Sequence, residues 1–491
     1  MKTSLHSHVM SDQRGSVLLV ALILAAVIAI SLTSYMGLAT NISKLSYRSH
    51  YAGVAMNTAE SGLEQAMWSI NKKKDGVSTA WDGWDITSGT TARRTFSLGT
   101  VSGGGTVSVK VLVSDRNLTT TNPYAIARAI VTPVKGAVIE KWIKISLYQR
   151  SRFSNGLVAK DGITFSGNNA YVDSYNSANG SYSASPATTN RFARGSAGSA
   201  SVAIDSLSVG NADIYGYASI GTSNYDGLDV GSQGKVTGDF NASSGTIDYS
   251  HVATSFTANF EAITAPATSS TNLGTVSSNL TLPSNTTSDA QVTATDGTIT
   301  YYYNANSISL TNKTLTISPG YNVVVTVTGD ISLGGGSGAI VVNSTKNTST
   351  GVTKESSLNL YVAGNVTMGG QGAANTLTIT GASSSTTESR PKNLIIWGTA
   401  TTSQTIKVSG NGSLSAVVYA PNAAIEAKGG GSNGGLFGSF IGKSVKMTGN
   451  EGFHYDESLR DLDSGEPLGI DKWDEFVSTA DRTSLGTLMN F

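Results

Sequence analysis

The sequence predicts a mainly β protein that opens with a long N-terminal transmembrane helix, continues as a small antiparallel sheet and ends in a right-handed parallel β-helix. Three observations predict this order. No charged residue lies between Arg14 and Lys44, residues 96 to 148 alternate apolar and polar side chains, and short β-rich runs punctuated by small residues recur from about Ser154. An antiparallel β-sandwich is the alternative for the third part.

Composition narrows the classes of function. Lys plus Arg and Asp plus Glu both number 33 in 491 residues, which gives no basic surface of the kind that nucleic acid requires, and we expect no nucleic-acid partner. The absence of cysteine excludes disulfides and thiolate metal sites. Charged residues are only 13% of the chain, but Val, Ile and Thr are plentiful, which favours ordered β structure over disorder.

The N-terminal segment predicts one uninterrupted helix. Val17 to Leu32 is apolar except for Ser31, and the run extends to about Ala39, roughly the 20 residues that a bilayer requires. Beyond Lys44 an apolar stripe continues at spacings typical of a helix, and three lysines suit the helix C-terminus. The stripe comprises Leu45, Ala52, Met56, Ala59, Leu63, Ala66 and Ile70.

Charge asymmetry predicts the orientation of this helix. Lys2 and Arg14 precede the span against a single Asp12, so the positive-inside rule places the N-terminus in the cytoplasm and the rest across the inner membrane. A plain anchor and a cleaved secretion signal are the alternatives to a helix that assembles with others. A secretion signal is disfavoured because no structural break follows the apolar run.

These N-terminal features resemble those of the PilX-type, type IV pilus-associated proteins. The resemblance rests on Arg14-Gly15, on the leucine-rich stretch Ser16 to Ala39, and on Ala59-Glu60-Ser61-Gly62-Leu63. It covers about 75 residues. It implies a pilin-like helix whose second half packs on a small antiparallel sheet, and it implies pilin or pseudopilin helices as partners.

The chain departs from the usual pilin pattern in its first turn. Five residues past Gly15, where ordinary type IV pilins carry Glu, stands Val20, and Ser16 replaces the usual Phe. Gly15 and Ser16 are therefore candidates for prepilin-type processing, with Met1 as the alternative mature N-terminus. Glu60, Gly62 and Glu64 are candidates for recognition by another helix; a solvated helix face is the alternative.

The segment between 96 and 148 predicts four strands. Period-two alternation in Thr106–Val113, in Tyr124–Ile130 and in Ile139–Leu147 gives each strand one apolar face, with turns rich in Gly and Pro between them. One apolar face requires a cover, and the preceding helical stripe supplies it. Residues 254 to 300, rich in Ser, Thr and Asn, predict an exposed excursion from the β-helix.

The segment Leu358 to Leu459 is similar to a C-terminal β-helix module of unknown activity that follows PilX-like N-termini. The similarity rests on three stretches: 415–423, 435–443 and 447–459. It implies an architecture and a surface-exposed context, and it implies no reaction.

The sequence predicts no catalytic residue, metal site or cofactor. The acidic residues of the β-helix are scattered, whereas a glycosidase requires two carboxylates across a groove. The densest titratable cluster is His454, Asp456 and Glu457, interpreted as a polar cap where the β-helix ends, with a metal or catalytic role as the alternative. The acidic residues after Asp461 do not fit the EF-hand pattern.

The predicted domains are a leader (1–15), the transmembrane and amphipathic helix (16–75), the small sheet (76–152), the β-helix (153–460) and an acidic C-terminal tail (461–491). The predicted function is a non-enzymatic, minor-pilin-like envelope protein in pilus assembly or in surface adhesion and aggregation. Surface glycans are candidate ligands. A membrane-tethered polysaccharide enzyme and a secretion-system pseudopilin scaffold are the alternatives.

Overall fold

The computed structural model describes fifteen segments of the chain, which fall into two compact units. One unit comprises Met1–Gln149 with Pro467–Phe491, and the other comprises Arg150–Glu466. The predicted helix and the predicted small sheet therefore belong to one unit. The described residues are 14–74, 77–87, 89–101, 104–118, 123–149, 151–167, 169–185, 189–294, 297–369, 372–380, 385–410, 413–429, 435–450, 452–462 and 467–491.

The first unit begins with a single uninterrupted helix, α1 (Arg14–Lys74). Of the predicted stripe, Ala59, Leu63, Ala66 and Ile70 are buried along the second half of α1, and Tyr51 and Ala55, which the prediction did not include, are buried before them. The stripe starts later than predicted, because Leu45 is 71% exposed and Ala52 and Met56 are only half-buried. Packing therefore begins about two turns further along the helix.

The predicted small antiparallel sheet is confirmed and covers this stripe. Its first strands are β1 (Ala92–Thr100), β2 (Thr106–Val113), β3 (Tyr124–Thr132) and β4 (Ile139–Gln149), each paired antiparallel with the next. The inward-facing side chains of β2, β3 and β4 are buried against α1 in one apolar cluster. The period-two pattern thus places one face on the helix, as half-buried strands require.

The second unit is a mainly parallel sheet of 26 strands that closes, barrel-like, around an apolar core. In chain order the strands are β5 (Leu157–Phe165), β6 (Tyr171–Tyr175), β7 (Gly195–Ser199), β8 (Leu207–Gly210), β9 (Asp213–Ile220), β10 (Leu228–Val230), β11 (Lys235–Thr237), β12 (Val252–Ala253), β13 (Thr271–Val276), β14 (Leu280–Leu282), β15 (Gln291–Thr293), β16 (Ile299–Thr311), β17 (Thr314–Ile317), β18 (Asn322–Val327), β19 (Ile331–Gly334), β20 (Ala339–Asn347), β21 (Thr353–Lys354), β22 (Ser357–Val362), β23 (Val366–Met368), β24 (Gly372–Thr380), β25 (Ser385–Ser389), β26 (Leu394–Gly398), β27 (Gln404–Gly410), β28 (Ser413–Gly429), β29 (Leu436–Thr448) and β30 (Gly452–Asp456).

Parallel pairing stacks the core residues of this unit into columns. Most strands pair in parallel with a strand about 20 to 40 residues later in the chain, so that Val325 pairs with Leu360 and Leu360 pairs with Ile396. One column runs without a break from Thr271 through Tyr303, Val325, Leu360, Ile396, Val418, Phe440, Leu157, Ala197 and Ala218 to Val252. Stacked apolar side chains of this kind stabilise the sheet by excluding water between strands.

The order of strands in the stack differs from their order in the chain. Strand β29 pairs with β5, and β30 pairs with β6, so the last strands of the unit lie against the first ones. The chain therefore enters the stack near its middle, winds to one end at β12, restarts at the other end at β13 and winds back to the middle. The residues around 454 do not lie at an end, contrary to the prediction.

Residues 254–270 connect the two ends of the stack. Ten pairing steps separate β12 from β13, which at about 4.8 Å per step amounts to about 48 Å. Seventeen extended residues reach about 56 Å, at roughly 3.3 Å each. Half-buried and exposed residues largely alternate along residues 254–270, and Phe256, Phe260 and Ile263 pack against the core. The prediction of one exposed excursion over 254–300 is thus wrong, since 271–294 and 297–300 contain strands.

The predicted acidic tail is also wrong for its described part. Strand β31 (Leu468–Glu475) pairs antiparallel with β4 and completes a five-stranded sheet, and helix α2 (Thr479–Gly486) follows. The backbone N–H of Leu468 donates to Asn71 Oδ1 of α1 at 2.8 Å, and Met489 is fully buried. An unpaired edge of β4 gains a partner in this way, which outweighs the solvation of a few acidic residues. Residues 463–466 lie outside the described residues.

Candidate functional site

The N-terminal half of α1 presents a continuous apolar surface. Its large side chains from Val17 to Ile42 are each 54–71% exposed. Within the described residues, α1 is the one helix long and apolar enough to cross a membrane, and its most apolar stretch is unburied. An exposed apolar surface of this extent marks contact with lipid or with other apolar helices, because water solvates it at a cost of about 25 cal/mol per Å².

The processing candidates lie at the start of this helix. Gly15 and Ser16 are in the first turn of α1, directly after Arg14, and their side chains are outside the described set. Of the predicted leader, residues 1–13 lie outside the described residues. Cleavage after Gly15 therefore stays a prediction.

The three candidates for helix recognition separate into two environments. Glu60 and Glu64 are exposed, but Gly62 is buried against the sheet. A Cβ on Gly62 would lie 2.8 Å from Val111 Cγ2 and 3.0 Å from Val109 Cγ2. Gly62 thus allows α1 to approach β2 closely, and the prediction that it contacts another helix is wrong because the sheet already occupies that position.

We expect Gly62→Ala to destabilise the first unit by about 1–2 kcal/mol, although alanine is the better helix former by about 1 kcal/mol. The β-branched side chains of Val109 and Val111 are held in one rotamer and cannot swing away from the added methyl. Gly53→Ala is the matched control, since no atom lies within 4 Å of its added Cβ, and it should stabilise the helix. Urea unfolding of the detergent-solubilised chain measures both. Equal effects of the two variants would contradict the close-packing role.

An exposed face of α1 continues beyond the two glutamates. Glu60, Glu64 and Trp68 follow one another at intervals of four residues, so they lie on one side of the helix. Trp68 is 57% exposed, and the Lys72 ammonium lies 4.1 Å from the centroid of its ring. The sequence interpretation did not single out Trp68, although the four-residue spacing from Glu64 indicates it.

The titratable cluster around His454 is a buried crosslink between β30 and β6. His454 is 4% exposed and Asp173 is fully buried; the two are paired in the parallel ladder, with His454 Nδ1 2.6 Å from Asp173 Oδ1. The Tyr182 ring covers the imidazole with a centroid distance of 3.8 Å, and the Phe437 ring lies 4.8 Å away. The pair therefore faces packed rings and not an open cleft.

Two further side chains donate hydrogen bonds to the Asp173 carboxylate. Arg191 Nε donates to Asp173 Oδ2 at 2.6 Å, and Tyr182 Oη donates to the same oxygen at 2.9 Å. Burial, together with the charge of Asp173, raises the pKa of Tyr182 far above its usual value, so the phenol stays neutral and donates. The described residues between β6 and β7, 176–185 and 189–194, are thereby attached to the sheet through Tyr182 and Arg191.

Asp456 and Glu457, the other two residues of the cluster, bind residues in β6 and in the described segment that follows it. Asp456 Oδ1 accepts from the backbone N–H groups of Ser177 and Ser458, at 2.9 and 3.1 Å. Glu457 accepts from the Ser174 hydroxyl and pairs with Arg194 Nη1 at 2.9 Å. The predicted polar cap at the end of the stack is wrong, because β30 pairs on one side with β29 and on the other with β6.

Sequence patterns identified only some residues of this network, namely His454, Asp456 and Glu457. Asp173 is one of many scattered acidic residues, and nothing in its local pattern distinguishes it. Its contact with His454 depends on β30 lying against β6, across 281 residues of chain. Only knowledge of the strand order could have brought the two together.

The surface of the second unit carries two features suited to weak polar ligands. A groove of about 430 Å³ is lined by hydroxyl and amide side chains with Phe192 at its wall. Exposed tyrosines form a separate platform, in which the Tyr225 and Tyr249 rings lie 4.6 Å apart and are 46% and 53% exposed. Aromatic faces flanked by hydrogen-bonding groups suit sugar rings, which combine apolar C–H faces with hydroxyls.

Within the part of the chain that the structure describes, no group of three or more His, Asp or Glu side chains is arranged to hold a metal ion. The His454 cluster includes one imidazole, Asp173 and Glu457 carboxylates that pair with Arg191 and Arg194, and an Asp456 carboxylate that accepts backbone N–H groups through Oδ1 and has no hydrogen-bond partner at Oδ2 among the described residues. Its arrangement holds the described residues 176–185 and 189–194 against the sheet.

Comparison with known proteins finds a matching family model and matches among solved structures. A family model described as "Domain of unknown function (DUF7305)" matches residues 228–462, which begin at β10 and include β30. A solved structure, the competence-associated pilin ComZ from Thermus thermophilus, is 10% identical, with 86% of this chain and 97% of that chain covered, at a TM-score of 0.23. A TM-score this low does not establish a shared fold. No curated protein matches the chain.

Proposed function

We propose that this chain is a non-enzymatic, minor-pilin-like envelope protein that acts in pilus assembly or in surface adhesion and aggregation. In this proposal α1 crosses the inner membrane once and assembles with pilin or pseudopilin helices, in the membrane or in a pilus. The second unit is then periplasmic or exposed at the surface.

One observation carries the proposal: a single helix is exposed and apolar over its first half and packed on a sheet over its second half. A cleaved signal would not continue without a break into a structural element of the folded unit. The apolar half, attached rigidly to a folded unit, suits insertion into lipid and exchange into a bundle of similar helices. The exposed face with Glu60, Glu64 and Trp68 is the surface that we assign to a neighbouring helix.

We further propose that the closed parallel sheet winds as a right-handed β-helix. The support is the parallel pairing of most strands with a strand about 20 to 40 residues later in the chain, as from Val325 to Leu360 to Ile396. Parallel connections within one sheet are right-handed in about 98% of cases, because right-twisted strands pack that way. Such a winding presents long outer faces on which weak contacts can be repeated.

For adhesion we propose surface glycans as ligands, and the tyrosine platform as a contact point. The test measures binding of the full-length protein to surface polysaccharide. We expect Tyr225→Ala and Tyr249→Ala each to weaken this binding severalfold. Val202→Ala, which changes a side chain 77% exposed at another surface position, is the control. Release of reducing ends by the protein would instead favour the polysaccharide-enzyme alternative.

We expect Ile28→Arg to prevent stable membrane insertion, because an arginine near the centre of a span costs about 2.5–3.5 kcal/mol on the insertion scale. The measurement is the fraction of protein that remains in membranes after carbonate extraction, together with the amount in sheared filaments. Leu45→Arg is the matched control, since Leu45 follows Lys44, the first charged residue after the apolar run, and its side chain is also exposed.

Two outcomes decide between the proposal and its alternatives. A mature N-terminus at Ser16 and recovery with sheared pili support the minor-pilin role, whereas recovery with secretion machinery favours the pseudopilin scaffold. Release into the medium of the chain beyond Thr40, by cleavage near that residue, would overturn the proposal.

A further inference from the structure

We propose that a cationic groove on the first unit binds the phosphate of an anionic phospholipid headgroup. The groove has a volume of about 640 Å³ and lies between α1 and the turn that joins β3 to β4. Lys44, Tyr47, Arg48 and Tyr51 line it from the helix, and Lys135 lines it from the turn. This inference rests on the proposed insertion of α1 into a membrane.

The charge of the groove is uncompensated. Lys44, Arg48 and Lys135 are all exposed, and none of them forms an ion pair with an acidic residue that the structure describes. Among the residues that the structure describes, no Asp or Glu lines the groove. Three cations that converge from two elements, with tyrosines between them, form a site that matches the charge and the hydrogen-bond acceptors of a phosphate.

The position of the groove along α1 matches the level of the headgroups. From Arg14 to Lys44 the helix rises about 45 Å, at 1.5 Å per residue. A bilayer with its polar headgroup regions is about 40–45 Å thick. With Arg14 at one surface, Lys44 therefore lies among the headgroups of the opposite leaflet, and Arg48 lies one turn beyond it.

The turn between β3 and β4 carries side chains suited to the same depth. Val134 and Val138 are 68% and 51% exposed on either side of Lys135, and Tyr47 is 61% exposed on the facing helix. Exposed valines next to a lysine, opposite a tyrosine, form the amphipathic combination found at membrane–water interfaces. This apolar content favours a lipid over a free phosphate ion as the occupant.

The test uses full-length protein reconstituted into phosphatidylcholine bilayers that contain spin-labelled phosphatidylglycerol or spin-labelled phosphatidylcholine. We expect wild-type protein to prefer the phosphatidylglycerol label. In the triple variant Lys44→Gln, Arg48→Gln, Lys135→Gln, the preference for phosphatidylglycerol should fall roughly fivefold for each cation removed. The matched control Lys407→Gln, Lys428→Gln, Lys446→Gln removes the same charge from exposed positions of the second unit and should retain the preference.

Each other outcome overturns the inference in a distinct way. Competition by millimolar inorganic phosphate that abolishes the preference would identify a free-anion site. Self-association that is lost equally in the triple variant and in Glu60→Gln, Glu64→Gln, without any lipid preference, would identify a second copy as the occupant. Protein embedded in the bilayer without lipid preference refutes this inference alone, whereas failure to embed at all refutes the proposed function.

Discussion

Asp173→Ala is expected to destabilise the second unit by about 3 kcal/mol or more, the range measured when one partner of a buried charge pair is removed. Asp173 is fully buried and accepts from Arg191 and Tyr182 while contacting His454 Nδ1. The variant leaves these donors without their acceptor inside the protein, and an unsatisfied buried donor costs about 1–3 kcal/mol. Asp173→Asn keeps the shape and one acceptor, so its loss should be smaller.

The measurement combines urea unfolding of the detergent-solubilised chain with amide hydrogen exchange. Peptides from 171–194 and 452–457 should lose protection first, because the network attaches this segment to the sheet. Asp161→Asn is the matched control: its pair with Lys443 spans 3.9 Å, both side chains are about half exposed, and the change should cost well under 1 kcal/mol. Equal losses in Asp173→Asn and Asp161→Asn would show that the network contributes nothing beyond a surface pair.

Local patterns were sufficient to predict the first unit up to its fourth strand. The uncharged run and the three-four spacing predict α1, and period-two alternation predicts β2, β3 and β4, because in each case the burial of one face fixes the periodicity. The error at Leu45 has the same origin, since an apolar residue on a helix satisfies the pattern whether lipid or protein contacts it. The spacing of apolar residues therefore does not distinguish a face that contacts lipid from a face that contacts protein.

These local patterns do not predict which strands pair when the strands are far apart in the sequence. The acidic residues Asp461, Asp463 and Glu466 favour a solvated acidic tail over 461–491, but Leu468–Glu475 forms β31, and its Glu475 pairs with Lys141. The strands of the second unit were recognisable as short runs between small residues, but each run is compatible with many neighbours. The stacking of β30 on β6, and with it the His454–Asp173 contact, depends on a choice of partner that no local sequence feature encodes.

The junction between the last and the first strands of the second unit is expected to form late in folding. Pairing Leu157 with Phe440 closes a loop of about 280 residues, whereas most parallel pairs in the stack close loops of about 20 to 40 residues. For an unstructured chain, the longer closure costs about 2 kcal/mol more, since the entropy of closure grows with the logarithm of loop length. The junction therefore depends on strong core contacts, and Phe440 supplies them.

Phe440→Ala should destabilise the second unit by about 3–5 kcal/mol, because it deletes a fully buried ring. That ring packs edge-to-face on Phe453 with a centroid distance of 5.0 Å. If the junction is unformed in the transition state, the loss should appear as unfolding that is faster by roughly a hundredfold to a few thousandfold, with refolding nearly unchanged. Stopped-flow unfolding in urea separates the two rates.

Two further variants make the Phe440 result specific to the junction. Tyr225→Ala removes an exposed aromatic ring from the same unit and should change stability by no more than about 0.5 kcal/mol. Leu360→Ala removes a fully buried side chain from the same column, within the consecutive strands, and should cost about 2–5 kcal/mol. Only Phe440→Ala should expose the amides of 157–165 to hydrogen exchange before those of 358–362. Unchanged protection of 157–165 in that variant would contradict the stacking of the first strands on the last, because that protection depends on the ladder which Phe440 anchors.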